Sequence, residues 1–141
     1  MSETSPPLLL DTHTAIWLTE NQPIESTAVA AIDAAYQAGA TLFVSAITAW
    51  EVGLLVSRNR LSLVAKPERW FQRLLAIPGV RLADLSPDIL IASSFLPGEP
   101  PRDPADRVIL ATARELGATL VTRDRQLLKY SGEGQVSTIA C

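Results

Sequence analysis

Two aspartates stand at the start of an apolar segment, in the run Arg102-Asp103-Pro104-Ala105-Asp106. Asp103 can cap the free backbone N–H groups of a helix, and Pro104 suits the first helical position, where its missing N–H costs nothing. Asp106 lies three residues after the cap, at the positive end of the helix dipole. Each aspartate therefore has a structural explanation of its own, and a chemical role depends on acids elsewhere in the chain.

Three further acids follow the segments that are predicted to be strands. Asp11 comes directly after a short apolar run, Asp124 follows the predicted strand 118–122 with Arg123 between them, and Glu51 lies early in a helix that follows a third run. Because the carboxyl ends of parallel strands meet at one edge of an α/β sheet, these three acids and Asp106 are predicted to lie at that edge. Glu51 alone could be a solvated helix residue, and Asp124 alone could be an ordinary turn residue.

Four neighbouring carboxylates would favour a bound cation. Each close pair repels by roughly 1–4 kcal/mol at a surface-like dielectric, so a cluster persists when a cation offsets the charge. Oxygen ligands favour Mg²⁺ or Mn²⁺, which act mainly on phosphate groups. The only histidine, His13, and the only cysteine, Cys141, exclude a multi-histidine or cysteine metal site. His13 is predicted to be a rim or structural residue.

Other catalytic patterns are missing from the sequence. It has no glycine-rich phosphate loop and no dinucleotide-binding fingerprint. A nucleophilic triad would need His13 as its base, and no nucleophile elbow accompanies it. A phosphoaspartate enzyme usually carries a second acid two residues after its nucleophile, and His13 occupies that position after Asp11.

The elements that must position these acids alternate along the chain. Strands are predicted at 8–10, 42–44, 80–85, 118–122 and 136–140, with helical segments between them. No repeat or linker interrupts this order, which predicts a single domain over residues 1–141, with 1–7 as a disordered lead-in. The expected fold is a three-layer α/β architecture with a mainly parallel sheet of four or five strands. Its first strand, which ends at Asp11, should be central.

The composition is that of an ordinary globular protein. The 141 residues are 48% hydrophobic and 19% charged, and the formal net charge is −3. Without an overall basic field, a stoichiometric nucleic-acid binder is disfavoured, whereas an enzyme with an acidic site and a local basic patch is not. No signal peptide and no apolar run of membrane-spanning length is found, so a soluble, cytoplasmic protein is expected.

Four motifs together resemble those of PIN-domain nucleases, and most closely the VapC-type ribonuclease toxins of bacterial toxin–antitoxin systems. They are Leu9–His13, Val44–Glu51, Asp103–Arg107 and Leu120–Asp124, in family-like order and spacing. The resemblance extends from residue 8 to about residue 139. It implies a PIN-like fold and the hydrolysis of RNA by metal-activated water. The implied Mg²⁺ or Mn²⁺ ligands are Asp11, Glu51, an acid of the 103–106 motif and Asp124.

The resemblance also implies roles for neighbouring residues and for partners. Ser45 and Thr122 match hydroxyl positions that support the acids by hydrogen bonds, and Thr12 is counted with them. Register with the family selects Asp106 as the third acid, which leaves Asp103 as a cap and an auxiliary candidate ligand. Family members commonly form homodimers and are inhibited by an antitoxin that covers the active site.

Two other functions remain open at this point. One is a Mg²⁺-dependent phosphohydrolase that acts on small phosphate esters. The other is a non-catalytic PIN-like module that binds RNA or protein, although four intact acids argue against a degenerate site.

Overall fold

A parallel sheet of five strands forms the centre of the molecule, in a computed structural model that describes residues 6–20 and 26–141. The strands are β1 Leu8–Leu10, β2 Leu42–Ser45, β3 Val80–Ala83, β4 Thr119–Thr122 and β5 Thr138–Ala140. Their order across the sheet is β3-β2-β1-β4-β5, and every neighbouring pair is parallel. This confirms the predicted α/β architecture and the central position of the first strand.

Seven helices cover the sheet within the described residues. They are α1 Thr12–Thr19, α2 Ser26–Gln37, α3 Ala46–Ser57, α4 Pro67–Ala76, α5 Pro87–Ala92, α6 Pro104–Leu116 and α7 Arg125–Ser131. None of them is long and apolar enough to cross a membrane. Most of the predicted lead-in, residues 1–5, lies outside the described residues, while the Pro7 carbonyl accepts a hydrogen bond from the Thr119 backbone N–H.

The three-residue strand β1 shows how the three layers arise. Leu8 and Leu10 pack into a cluster with side chains of α1, α2, α3 and α4, whereas Leu9 packs on the opposite face with side chains of α6 and α7. Side chains alternate between the two faces of a strand, so a continuous apolar run indicates a strand covered on both sides. Complete burial of one leucine contributes about 1.5–3 kcal/mol.

Helix α6 begins and ends where its local sequence predicts. The Asp103 side chain accepts a hydrogen bond from the Asp106 backbone N–H at 3.0 Å, and Pro104 occupies the first turn. Gly117 ends the helix with a φ of 60°, a left-handed conformation that glycine adopts without a Cβ clash. The result is a buried helix that starts with its two aspartates at the C-terminal edge of the sheet.

The connections reverse direction between β1 and β4. From β1 the chain proceeds to β2 and β3 on one side, and it later returns to β4 and β5 on the other. In open α/β sheets, ligands bind in the crevice outside the strand ends at such a reversal. Asp11, which follows β1, and Asp124, which follows β4, both lie there.

Candidate active site

Asp11 is held between the two central strands. It is only 6% exposed, and its own backbone N–H donates to the Val121 carbonyl at 3.2 Å. Its Oδ1 accepts from the Thr14 backbone N–H at 3.0 Å, which makes Asp11 the N-cap of α1. Its Oδ2 accepts a hydrogen bond from the Thr122 hydroxyl. The carboxylate is therefore fixed in orientation by both strands and by the helix that follows.

Glu51 is held by a pair of threonines. The Thr12 hydroxyl donates to Glu51 Oε1 at 2.6 Å, and Thr12 Oγ1 lies 3.0 Å from Thr48 Oγ1. Because the single hydroxyl proton of Thr12 is given to Glu51, Thr48 must be the donor in the second bond. Burial raises the pKa of Glu51, the Thr12 hydrogen bond lowers it, and repulsion from Asp103 raises it again, with a net increase.

Asp106 carries the largest electrostatic perturbation in the site. Its pKa is raised from 3.8 to about 7, first by burial and then by repulsion from other carboxylates. In decreasing order of effect, these are Asp124, Asp103, Glu51 and Asp11. No hydrogen bond made by the described residues ends on the Asp106 carboxylate to offset these effects. Four acids from different elements thus act on the charge of Asp106.

Asp103 and Asp124 are both exposed helix caps. Asp124 Oδ1 accepts from the backbone N–H groups of Gln126 at 2.8 Å and Leu127 at 3.2 Å. The Asp124 backbone N–H donates to Thr122 Oγ1 at 3.0 Å. Thr122 consequently joins two acids, since its hydroxyl donates to Asp11 and accepts from the Asp124 main chain.

Comparisons with known proteins show the family of this chain. A family model described as the PIN domain matches residues 8–133. The chain belongs to the PIN-domain family. It is 38% identical over 124 residues to "Ribonuclease VapC22" of Mycobacterium tuberculosis, which covers 87% of this chain and 91% of that protein.

Solved structures share the fold of this PIN domain. VapBC2 from Rickettsia felis, bound to a DNA fragment from its promoter, matches with a TM-score of 0.67 at 16% identity, over 94% of this chain and 97% of that one. A toxin–antitoxin complex from Klebsiella pneumoniae matches with a TM-score of 0.60 at 24% identity, over 93% and 96%. At these identities the likeness concerns the fold.

The structure gives Ser45 a different role from the direct support that the sequence suggested. Its hydroxyl accepts from the Ile47 backbone N–H at 3.1 Å and caps α3. No hydrogen bond within the described ranges links it to a carboxylate. Ser45 instead fixes the start of the helix that carries Glu51. Thr48, which lies three residues before Glu51 on the same helix, contacts Thr12 and holds Glu51 indirectly.

The donor set of the PIN domain fits a hard divalent cation in type, because every candidate ligand is a carboxylate oxygen. As they stand, however, no three His, Cys, Asp or Glu side chains of the described residues are grouped so that they could hold a metal ion. The acids interact through repulsion and not through shared hydrogen bonds. A bound cation would offset the repulsion that, after burial, raises the pKa of Asp106.

Proposed function

We propose that this protein is a metal-dependent ribonuclease that cleaves RNA phosphodiester bonds with activated water, as the toxin of a toxin–antitoxin pair. The observation that carries this proposal is that Asp11 and Glu51, which accept hydrogen bonds from threonine hydroxyls, both repel the Asp106 carboxylate at the carboxyl edge of the sheet. The 38% identity to a protein named ribonuclease supports RNA as the substrate.

The proposed cofactor is Mg²⁺ or Mn²⁺. The residues that would hold it are Asp11, Glu51, Asp106 and Asp124, with Asp103 as an auxiliary ligand. When bound, a divalent ion supplies activation of water and stabilisation of negative charge on the phosphate.

The side chains of this chain contribute orientation and charge. Thr122 and the Thr14 backbone N–H fix both oxygens of Asp11, and Thr12 fixes one oxygen of Glu51. Such fixed ligands need little reorganisation when substrate binds. Asp106, whose charge is the least compensated, is the position where a cation would relieve the most repulsion.

An antitoxin protein is the proposed regulatory partner. The structural neighbours from R. felis and K. pneumoniae are described as a VapBC pair and as a toxin–antitoxin complex. We infer that a cognate antitoxin pairs with this chain and covers the carboxylates. The cytoplasm is the proposed compartment, because RNA and a newly synthesised antitoxin are both found there.

We propose a homodimer whose interface is formed by α5 and the turn after it. Leu90 is 44% exposed, Ile91 61% and Phe95 78%, so three large apolar side chains lie close together on the surface. Phe95→Glu should convert a dimer to a monomer in size-exclusion chromatography with light scattering. Val64→Glu, at an exposed valine in the connection between α3 and α4, is the matched control and should leave the mass unchanged. Equal masses for wild type and Phe95→Glu would contradict this interface.

The test of the activity uses purified protein and RNA. Cleavage should require Mg²⁺ or Mn²⁺ and stop on addition of EDTA. Asp11→Asn, which is nearly isosteric, should reduce the rate by at least about 100-fold, because the central negative ligand is lost. Asp33→Asn, at an exposed acid on α2, should cleave like wild type.

A folded Asp11→Asn variant with wild-type activity would overturn the metal-site proposal. Hydrolysis of small phosphate esters without RNA cleavage would favour the phosphohydrolase. RNA binding without any hydrolysis would favour the non-catalytic module.

A further inference from the structure

We propose that Lys66, Arg69 and Arg73, here called the basic strip, bind the phosphate backbone of the RNA substrate along α4. This inference rests on the proposed function and deepens it, because it assigns the surface that gives the protein its affinity for RNA. The carboxylates of the candidate site repel the phosphates of a nucleic acid, so binding requires cations outside that site.

The cations of this protein are concentrated in one part of the chain. Residues 58–81 contain six of its 12 lysines and arginines but only one of its 15 acids, Glu68. The rest of the chain is correspondingly acidic, and it contains every acid of the candidate site. In a protein whose net charge is −3, such a separation of charge attracts a polyanion to one part of the surface and repels it from the rest.

Three of these cations follow one side of α4. Lys66 is the N-cap, and Arg69 and Arg73 come three and seven residues later, a spacing that places side chains on the same side of a helix. All three are exposed, whereas Trp70 and Leu74 of the same helix are buried in the core. The helix is thus anchored by apolar side chains and presents a row of cations over about 10 Å of its length.

No ion pair within the described residues compensates the charge of the basic strip. Its three side chains also make no hydrogen bond to another described residue. Glu68 is the one acid on α4, and it lies about 100° around the helix from Arg69. On that side Glu68 lines the groove between α3 and α4 together with Val52. The basic strip therefore presents its charge to the solvent.

Helix α4 is held against the two helices that begin at the candidate site. Pro67, in its first turn, lines the groove with Ala49, which lies two residues before Glu51 on α3. The Trp70 Nε1 donates to the Thr19 hydroxyl at 2.9 Å and fixes α4 to the last turn of α1. Because α1 and α3 both begin at the carboxyl edge of the sheet, an RNA strand bound along α4 lies beside the helices that lead to the carboxylates.

An acidic segment of a protein partner is the competing occupant of this surface. Protein–protein interfaces have an apolar centre, whereas nucleic-acid interfaces are more polar and more positively charged. The solvent-exposed side of α4 carries no large apolar side chain, and its exposed residues are Lys66, Glu68, Arg69, Gln72, Arg73 and Ala76. This composition favours a phosphate backbone.

The experiment compares two triple variants that have the same change in net charge. The strip variant carries Lys66→Gln, Arg69→Gln and Arg73→Gln. The off-strip variant changes the other three cations of residues 58–81, which are also exposed, and carries Arg58→Gln, Arg60→Gln and Arg81→Gln. The first two of these follow the end of α3 and the third lies on β3, so the off-strip variant leaves α4 intact.

Binding of a short labelled single-stranded RNA of random sequence is measured by fluorescence anisotropy in EDTA, at a series of salt concentrations. We expect the strip variant to bind at least about tenfold more weakly than wild type at low salt. The slope of log affinity against log salt concentration should become shallower by about 2, because each phosphate contact on a single strand contributes about 0.7. The off-strip variant should keep the slope of wild type.

Two further variants separate charge from folding. Arg69→Lys combined with Arg73→Lys keeps both charges and should retain the salt slope of wild type, because a phosphate backbone is bound mainly through charge. Where the strip variant loses its circular dichroism signal, Arg69→Gln and Arg81→Gln give the same comparison as single changes. With Mn²⁺ and an RNA that wild type cleaves, the strip variant should raise KM and leave kcat within about twofold of wild type.

The possible failures are distinguishable. Wild type that binds RNA through the basic strip and cleaves no RNA with Mn²⁺ would overturn the proposed ribonuclease. Wild type that cleaves RNA, with equal affinities and salt slopes in the strip and off-strip variants, would overturn the basic strip alone. Tighter binding of wild type to a poly-glutamate peptide than to the RNA, lost in the strip variant, would indicate an acidic protein partner and overturn the assignment to RNA.

Discussion

The two halves of the acidic site are held in different ways. In the threonine-bonded half, Asp11 and Glu51 accept hydrogen bonds from the hydroxyls of Thr122 and Thr12. In the helix-start half, Asp103 and Asp124 cap their own helices and Asp106 receives no hydrogen bond from the described residues.

This difference shows what hydroxyl groups do for buried acids. Burial raises the pKa of both Glu51 and Asp106, but the Thr12 hydrogen bond opposes that effect at Glu51. Asp106 has no such bond and faces four other carboxylates, so its pKa reaches about 7. Asp11 and Glu51 are thus oriented by threonine hydroxyls, whereas the Asp106 carboxylate accepts no hydrogen bond from the described residues that would offset its burial.

The largest expected effect is a difference in activity between variants of Asp106 and Asp103, the two aspartates at the start of α6. Asp106→Asn should reduce RNA cleavage by at least about 100-fold with the fold intact, because it removes a proposed metal ligand. Asp103→Asn keeps a competent N-cap and should retain partial activity. Cleavage rates with Mn²⁺ and circular dichroism of both variants test this. The reverse ranking would move the third ligand to Asp103.

A smaller effect is expected from removing a threonine hydroxyl in the threonine-bonded half. Thr122→Val removes the hydroxyl that donates to Asp11 and accepts from the Asp124 main chain, at a fully buried position. Leaving these groups without partners should cost about 2 kcal/mol in the free energy of unfolding. Urea denaturation measures the change, and Thr119→Val in the same strand is the control. Equal stabilities of these two variants would show that the hydroxyl contributes little.

The smallest expected effect is on the stability of the metal-free protein, and it arises from Asp106 in the helix-start half. The folded pKa of Asp106 is about 7 against a reference of 3.8, so the folded protein binds more protons than the unfolded chain between these values. Metal-free stability should therefore fall as pH rises from about 4 to 7. At about pH 8 in EDTA, Asp106→Asn should be more stable than wild type by about 1 kcal/mol after solvent screening, or about 2–4 °C.

Melting curves at about pH 8 and pH 5 test the direction of this effect. The melting temperature of Asp106→Asn should exceed that of wild type at about pH 8, and the difference should be smaller at about pH 5, where Asp106 of wild type is protonated. Added Mn²⁺ should raise the melting temperature of wild type more than that of Asp106→Asn, since an ion that binds only the folded state stabilises it. Asp33→Asn serves as the control. An identical pH and Mn²⁺ response in all three proteins would mean that the acids do not share a site.

Much of the fold follows from local sequence. The apolar runs predict β1, β2 and β4, and Asp103, Pro104 and Gly117 predict the bounds of α6, because caps and strands depend on residues close in the chain. The bounds of the two outer strands, β3 and β5, are less predictable. The strand expected at 80–85 ends at Ala83, and the one expected from 136 begins at Thr138 because Val136 is buried against α6 and α7.

The types and approximate places of the acids were also readable from the sequence, as was the cap at Asp103. The family resemblance named Thr12 and Thr122 as supporting hydroxyls, but it did not say which acid each of them contacts. Thr12 bonds Glu51 across 39 residues and Thr122 bonds Asp11 across 111, so these contacts exist only once β1 lies between β2 and β4. The contact between Trp17 and Arg123 likewise joins α1 to the end of β4. Such contacts depend on strand register and helix packing, which short-range propensities do not encode. Only the tertiary structure therefore decides which acids are oriented by hydroxyl groups and which have no hydrogen bond to offset the repulsion of their neighbours.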